Sequence, residues 1–105
     1  MIYLTNAFSL NMLERAPAHM DFLPITKDEA REQLGADFFC AIGHADTAAV
    51  VGSDLNLPLI ACRDNVTLQA GDTLIVAQYH GPRLAEGTTT LPVGARIEYW
   101  LVRRA

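Results

Sequence analysis

One apolar run constrains the fold more than any other part of this sequence. Residues 73–79, which read TLIVAQY, are nearly continuously apolar and carry no charge. A strand with one face in solvent alternates apolar and polar residues, whereas a continuous apolar run is typical of a central strand covered on both faces. The sequence therefore predicts an α/β sheet with other elements packed against both of its sides.

Local signals predict the remaining secondary structure. Thr26 and Glu29 form a capping box, which predicts a helix that continues to Leu34 and ends at Gly35. Further helices are predicted over residues 10–16 and 45–52, and Arg103-Arg104 is interpreted as a solvated tail. Besides 73–79, the predicted strands are residues 2–5, 19–24, 59–62, 66–68 and 96–102.

Length and charge narrow the class of protein. A chain of 105 residues predicts one domain over residues 1–105, able to bury a core without a metal or a disulfide. The net charge of -4 argues against general DNA or RNA binding, which depends on many Lys and Arg side chains. Seven of the eight basic residues are Arg, which suits phosphate recognition, although genomic base composition explains the bias equally well.

The cysteines and the termini predict a cytoplasmic protein. Cys40 and Cys62 lie in apolar surroundings without CxxC spacing, and we interpret them as reduced core residues. Neither a metal-binding cluster nor a cofactor motif is recognisable, so no metal and no cofactor are predicted. The sequence contains no signal peptide and no run of membrane-spanning length. The expected location is the cytoplasm, or that of the host if the protein is viral, with no membrane partner.

The stretch around His44 predicts an anion site. The apolar run 38–42 ends at Gly43, which permits a sharp turn, and His44 then precedes the helix predicted over 45–52. The first N–H groups of a helix lack internal partners, so a phosphate fits there. An imidazole, with an ordinary pKa of about 6.5, exchanges protons near neutral pH, which suits chemistry on a phosphoester. From this stretch alone, a hydrogen-bonded structural histidine remains the alternative.

Polar residues also follow two predicted strands. Asn6, Ser9 and Asn11 come after the first strand, at a position where α/β proteins commonly bind ligands, although helix capping explains each of them too. Gln78, Arg83 and Glu86 belong to the segment that leaves the central strand. There the alternative is a Gly81-Pro82 turn with a solvated ion pair.

Three motifs, which occur in the same order as in the family, resemble the small viral anti-CRISPR ring nucleases of type III systems and their cellular relatives. The similarity extends from about residue 2 to residue 102. The motifs are Asn6-Ala7-Phe8-Ser9-Leu10-Asn11-Met12-Leu13, Ile42-Gly43-His44-x-x-Thr47, and Gln78 followed by Arg83-Leu84-x-Glu86-Gly87.

The resemblance implies a homodimer in which each protomer forms a mixed, roughly five-stranded sheet flanked by helices. The ligand implied is cyclic tetra-adenylate, the second messenger of type III CRISPR systems. Members of the family cut this ring without a metal, because a ribose 2′-hydroxyl attacks the neighbouring phosphorus and linear di-adenylate is released.

The same resemblance implies a role for each matching residue. His44 would be the general acid that protonates the 5′-oxygen leaving group, or would stabilise charge on the phosphate. Arg83 would clamp the phosphate, and Glu86 would orient Arg83 or a ribose hydroxyl. Four residues separate Gln78 from Arg83, where some viral members have three, so His80 is an alternative to Gln78. The residues expected to bind the ring are Asn6, Ser9, Asn11 and Gln78.

Two functions of other classes stay open at this point. The first is a binding module that sequesters or senses cyclic oligoadenylate without cleaving it. The second is a viral structural or interaction protein that keeps the fold without the ligand, although the joint presence of His44, Arg83 and Glu86 argues against it.

Overall fold

The apolar run at residues 73–79 lies in the middle strand of a five-stranded mixed sheet. This computed structural model describes all residues from 1 to 105. The predicted α/β fold, a single domain with a mixed five-stranded sheet and flanking helices, is confirmed. The strands are β1 (Ile2–Thr5), β2 (Met20–Ile25), β3 (Phe39–Cys40), β4 (Thr73–His80) and β5 (Arg96–Arg104), and their order across the sheet is β2-β5-β4-β1-β3. The helices are α1 (Lys27–Leu34) and α2 (Ala45–Leu55), and a short 3-10 helix spans Leu10–Leu13.

Strand direction determines which chain ends meet. β1 pairs in parallel with both β3 and β4, while β5 is antiparallel to β4 and β2. The carboxyl ends of β1, β3 and β4 therefore lie at the same end of the sheet. β1 stands between β3 and β4, an arrangement that leaves a crevice for ligands at the carboxyl ends of the strands.

Both faces of the sheet are covered, as the apolar run predicts. On one face, Leu4, Ile75 and Leu101 pack with residues of the two helices, including Leu34 and Val51. On the other face, residues from β4 and β5 pack beneath an irregular segment and the 3-10 helix; this second cluster contains Val66, Leu68, Leu74, Val76 and Val102, with Phe8 and Met12 against it. Successive strand residues point to opposite faces, so a continuous apolar run supplies both clusters.

The predicted capping box begins α1. The Thr26 hydroxyl accepts a hydrogen bond from the Glu29 amide at 3.1 Å, and the Thr26 amide donates to the Glu29 carboxylate at 3.0 Å. These hydrogen bonds lower the pKa of the Glu29 carboxyl group. The helix ends at Leu34, with Gly35 as its C-cap at a φ of 60°. Both predicted boundaries of this helix are confirmed.

Residues 59–68 and the C-terminus differ from their predictions. The predicted strands at 59–62 and 66–68 are absent, because this segment makes isolated hydrogen bonds instead of a ladder: Cys62 to the Ile42 carbonyl and Leu68 to the Met12 carbonyl, each 2.9 Å. The predicted solvated tail is wrong, since Arg103 and Arg104 belong to β5. The Arg104 guanidinium donates to the Leu68 carbonyl and so fastens the irregular segment to the sheet.

Two smaller differences concern the first helix and the cysteines. The helix predicted after β1 is a single 3-10 turn, which ends at Glu14 with a φ of 51°. Cys40 and Cys62 are free and only partly buried, so they lie at the margin of the core. Burial nevertheless raises the pKa of the Cys40 thiol.

Gly52 leads to a stability prediction. A Cβ atom at this buried position in α2 would lie 2.7 Å from the Leu57 carbonyl oxygen and 3.3 Å from the Leu59 side chain. We expect Gly52→Ala to lower the free energy of unfolding by roughly 1–3 kcal/mol, despite a gain of about 1 kcal/mol in helix propensity. Urea denaturation measures the difference. The control is Ser53→Ala, an exposed neighbour; equal stability of Gly52→Ala and the parent would contradict the packing argument.

Candidate functional site

Three connections meet at the carboxyl end of the parallel strands. Asn6 follows β1, Gly43 and His44 follow β3, and Arg83 follows β4. The three segments are far apart in sequence, and the parallel pairing of β1 with β3 and β4 brings them to one end of the sheet. This end contains all three of the motifs singled out in the sequence.

His44 is the N-cap residue of α2. Its backbone is extended, with φ -111° and ψ 132°, and its side chain makes no capping hydrogen bond. Its carbonyl accepts the first helical bond, from Ala48, at 2.9 Å. The imidazole is exposed beside amide groups that begin the helix, so the predicted junction of a histidine with a helix N-terminus is present.

A guanidinium group is held next to the backbone that precedes His44. The Arg63 Nε donates a hydrogen bond to the Gly43 carbonyl at 3.1 Å, which holds a guanidinium one residue from His44. The two Nη groups of Arg63 are in no ion pair. Sequence analysis missed Arg63, because it belongs to an irregular segment whose path depends on contacts remote in sequence.

The connection between β4 and β5, residues 81–95, reaches the start of α2. Asp46, in the first turn of α2, accepts a hydrogen bond from the Gly87 amide at 3.2 Å. This contact brings the segment that carries Arg83 and Glu86 to the helix end that carries His44. Arg83 and Glu86 are both exposed and form no ion pair with each other. The alternative of a solvated ion pair is therefore not what the structure contains.

A polar cavity of about 590 Å³ opens beside this end of the sheet. It brings together Asn6, Ser9 and Asn11, the polar residues that follow β1. Ser9 also caps the 3-10 helix, accepting from the Asn11 amide at 3.2 Å, so capping and cavity lining occur together. Sequence analysis missed the carboxylate and amide side chains contributed by residues 64–67. The full lining is Thr5, Asn6, Ala7, Ser9, Asn11, Met12, Glu14, Ala41, Asp64, Asn65, Val66 and Thr67.

Gln78 lies in a different cavity. This cavity, of about 490 Å³, is mostly apolar and includes the aromatic rings of Phe8, Phe22 and Trp100. Ala7 lines both cavities, so the turn after β1 separates them. The structure therefore does not bring Gln78 into one pocket with Asn6, Ser9 and Asn11.

His80 is engaged with charged neighbours. Its Nε2 lies 3.3 Å from a Glu98 carboxylate oxygen, and Arg96 donates to the other oxygen of that carboxylate at 3.0 Å. The hydrogen bond from Arg96 is the main reason why the pKa of Glu98 is lowered. Because alternate residues of a strand share a face, His80 and Gln78 project from the same side of β4.

Basic and acidic groups both occur at this end of the sheet. Arg63 and Arg83 belong to the segments that meet at the start of α2, and so do Asp46 and Glu86. The polar cavity contains the carboxylates of Glu14 and Asp64 and no basic side chain. No group of three or more His, Cys, Asp or Glu side chains is arranged to hold a metal ion. Neither helix is long and apolar enough to cross a membrane.

Comparison with known proteins identifies a structural relative and a family. The fold is similar to B116 of Sulfolobus turreted icosahedral virus, with a TM-score of 0.80, 26% sequence identity and 97% of each chain covered. No curated protein matches the chain. The STIV B116-like family model matches residues 2–93, which include all three motifs. This chain therefore belongs to the STIV B116-like family, whose namesake is a viral protein.

Proposed function

We propose that this protein is a metal-independent ring nuclease that binds and cleaves cyclic tetra-adenylate in the cytoplasm of the host, and so ends type III CRISPR signalling. The observation that carries the proposal is the position of His44, at the start of α2 beside Arg63 and the segment that bears Arg83. Helix amide groups and guanidinium groups are the donors that bind phosphate well in proteins. An imidazole beside them is suited to proton transfer at a phosphodiester.

The lining of the polar cavity supports a specific orientation of the ligand. Phosphate groups are attracted to the helix amides and to the Arg63 and Arg83 guanidinium groups, and they are repelled by the carboxylates of Glu14 and Asp64 in the cavity. A neutral adenosine unit suffers no such repulsion, and Asn amides pair well with the edge of adenine. We therefore assign a phosphate to the helix start and an adenosine unit to the polar cavity.

The proposed reaction uses a nucleophile that the substrate already carries. A ribose 2′-oxygen attacks the adjacent phosphorus and loses its proton to solvent, the bond to the 5′-oxygen breaks, and His44 gives a proton to that oxygen. A 2′,3′-cyclic phosphate results at each cut, and two cuts release two linear di-adenylates. The chain has to supply position and charge stabilisation, which are the properties of this site.

The proposed active form is a homodimer. A ring of four identical nucleotides has internal two-fold symmetry, so two identical protomers can present the same residues to equivalent phosphates.

The test is incubation of the purified protein with cyclic tetra-adenylate in excess EDTA, followed by chromatographic separation of the nucleotides. The proposal expects linear di-adenylate with a terminal phosphate, and no cleavage of a single-stranded RNA of mixed sequence. If the ring stays intact but elutes with the protein, the chain is a binding module that sequesters or senses the messenger. If the ring neither binds nor breaks, the proposed function is wrong.

A further inference from the structure

The segment that bears Arg83 and Glu86 has one hydrogen bond to the fold outside the β4–β5 pair. Its other hydrogen bonds are local: the Tyr79 hydroxyl donates to the Pro82 carbonyl, and Thr88 binds the Ala85 carbonyl through its amide and its hydroxyl. The exception is the bond from the Gly87 amide to the Asp46 carboxylate, 3.2 Å long. Among hydrogen bonds, this one alone ties the segment to α2.

The donor of this hydrogen bond, the Gly87 amide, is oriented by a local turn. Gly87 has a φ of +83°, a left-handed conformation that favours glycine. The turn is closed by the Thr88 hydroxyl and amide, which lie 2.6 and 3.1 Å from the Ala85 carbonyl. The Gly87 amide is therefore aimed by a closed turn, and only a matching acceptor is needed to hold the whole segment.

The acceptor of this hydrogen bond is a carboxylate, which is unfavourable beside a phosphate. Asp46 lies two residues after His44, in the first turn of α2, where its negative charge opposes an incoming phosphate. A first-turn carboxylate also stabilises the helix N-terminus, a role that Asp28 has in α1. The hydrogen bond to Gly87 gives Asp46 a second role, because it ties the segment that bears Arg83 and Glu86 to the helix start.

We propose that Asp46 is a positioning residue that acts through Gly87 and holds the Arg83–Glu86 segment against the start of α2. This inference rests on the proposed function for its effect on turnover. It assigns Asp46 no contact with the ligand and no part in proton transfer. A small displacement of a catalytic segment is enough to slow a reaction greatly.

The test compares three variants. Asp46→Ala removes the acceptor and the charge, and we expect the single-turnover rate with cyclic tetra-adenylate to fall about tenfold, while the ring binds as tightly as to the parent or more tightly. Asp46→Asn keeps an acceptor oxygen and removes the charge, so it should keep most of the rate and bind the ring as tightly as the parent or more tightly. The control is Asp28→Ala, which removes a first-turn carboxylate from α1 and should leave rate and affinity unchanged.

A second readout separates this inference from the proposed function. Amide hydrogen exchange of Gly87 and Thr88, the two amides of this turn that donate hydrogen bonds, should quicken in Asp46→Ala and change less in Asp46→Asn, while the amides of α2 keep their protection. Unchanged exchange in Asp46→Ala would overturn the inference whatever the ligand is. An inactive parent protein whose loop exchange still responds to Asp46→Ala would instead overturn the proposed function alone.

A double-mutant cycle gives the last check. If Asp46 acts through the segment, its replacement by alanine should slow turnover little further in a chain that already carries Arg83→Ala. Fully additive effects of the two substitutions would mean that Asp46 acts independently of that segment. The inference would then be wrong.

Discussion

His44→Ala is expected to slow single-turnover cleavage of cyclic tetra-adenylate by about 10²–10⁴-fold, the usual contribution of a positioned acid or base. The affinity for the ring should change far less, because the helix amides, Arg63 and the polar cavity remain. Quenched-flow sampling followed by chromatography gives the rate. Isothermal titration calorimetry with a slowly cleaved analogue of the ring gives the dissociation constant.

His19→Ala is the matched control for that substitution. His19 is exposed, immediately precedes β2 and makes no side-chain contact with the segments at the start of α2. Its replacement should leave rate and affinity unchanged. A His44→Ala protein that cleaves the ring within threefold of the parent rate would remove His44 from the mechanism.

Arg83→Ala is expected to lower the cleavage rate by about 10²–10³-fold, which is typical of losing one group that stabilises developing charge. Arg83→Lys should recover part of the rate only, since an ammonium restores the charge without the planar pair of donors. The rates are compared at saturating ligand, so that weaker binding does not contribute.

The control for Arg83 is Arg31→Ala, an exposed arginine near the end of α1. It tests whether loss of one positive charge from an acidic protein is by itself enough to weaken the reaction. Equal losses in the two variants would show that Arg83 acts through general electrostatic attraction and has no clamping role.

The parts of the fold that were predictable depend on contacts close in sequence. The capping box of Thr26 and Glu29 joins residues three apart, and it located the start of α1. The apolar run in β4 indicates burial on both faces of the sheet, because successive side chains of a strand point to opposite faces. The position of His44 immediately before a helix was also predictable, because Gly43 and the residues from 45 onward mark the helix start locally.

The rest depends on contacts between remote residues. Arg104 binds the Leu68 carbonyl and Arg63 binds the Gly43 carbonyl, and neither pairing leaves a local pattern in the sequence. The same is true of the polar cavity, whose walls come from the turn after β1 and from residues 64–67. The segments 59–62 and 66–68 are apolar and were therefore predicted as strands. Each makes only isolated hydrogen bonds to other segments, so an apolar pattern was not enough to predict strand pairing.

The attachment of residues 81–95 to two neighbouring antiparallel strands has an evolutionary consequence. β4 and β5 are held in register by the pairs from Thr73 with Arg103 to His80 with Arg96, which lie outside the connection between them. Each doubling of a flexible connection costs only about 0.6 kcal/mol in closure entropy. Residues can therefore be inserted or deleted after His80, in the connection itself, with little penalty in stability, so relatives can vary the chemistry of this segment without redesigning the sheet.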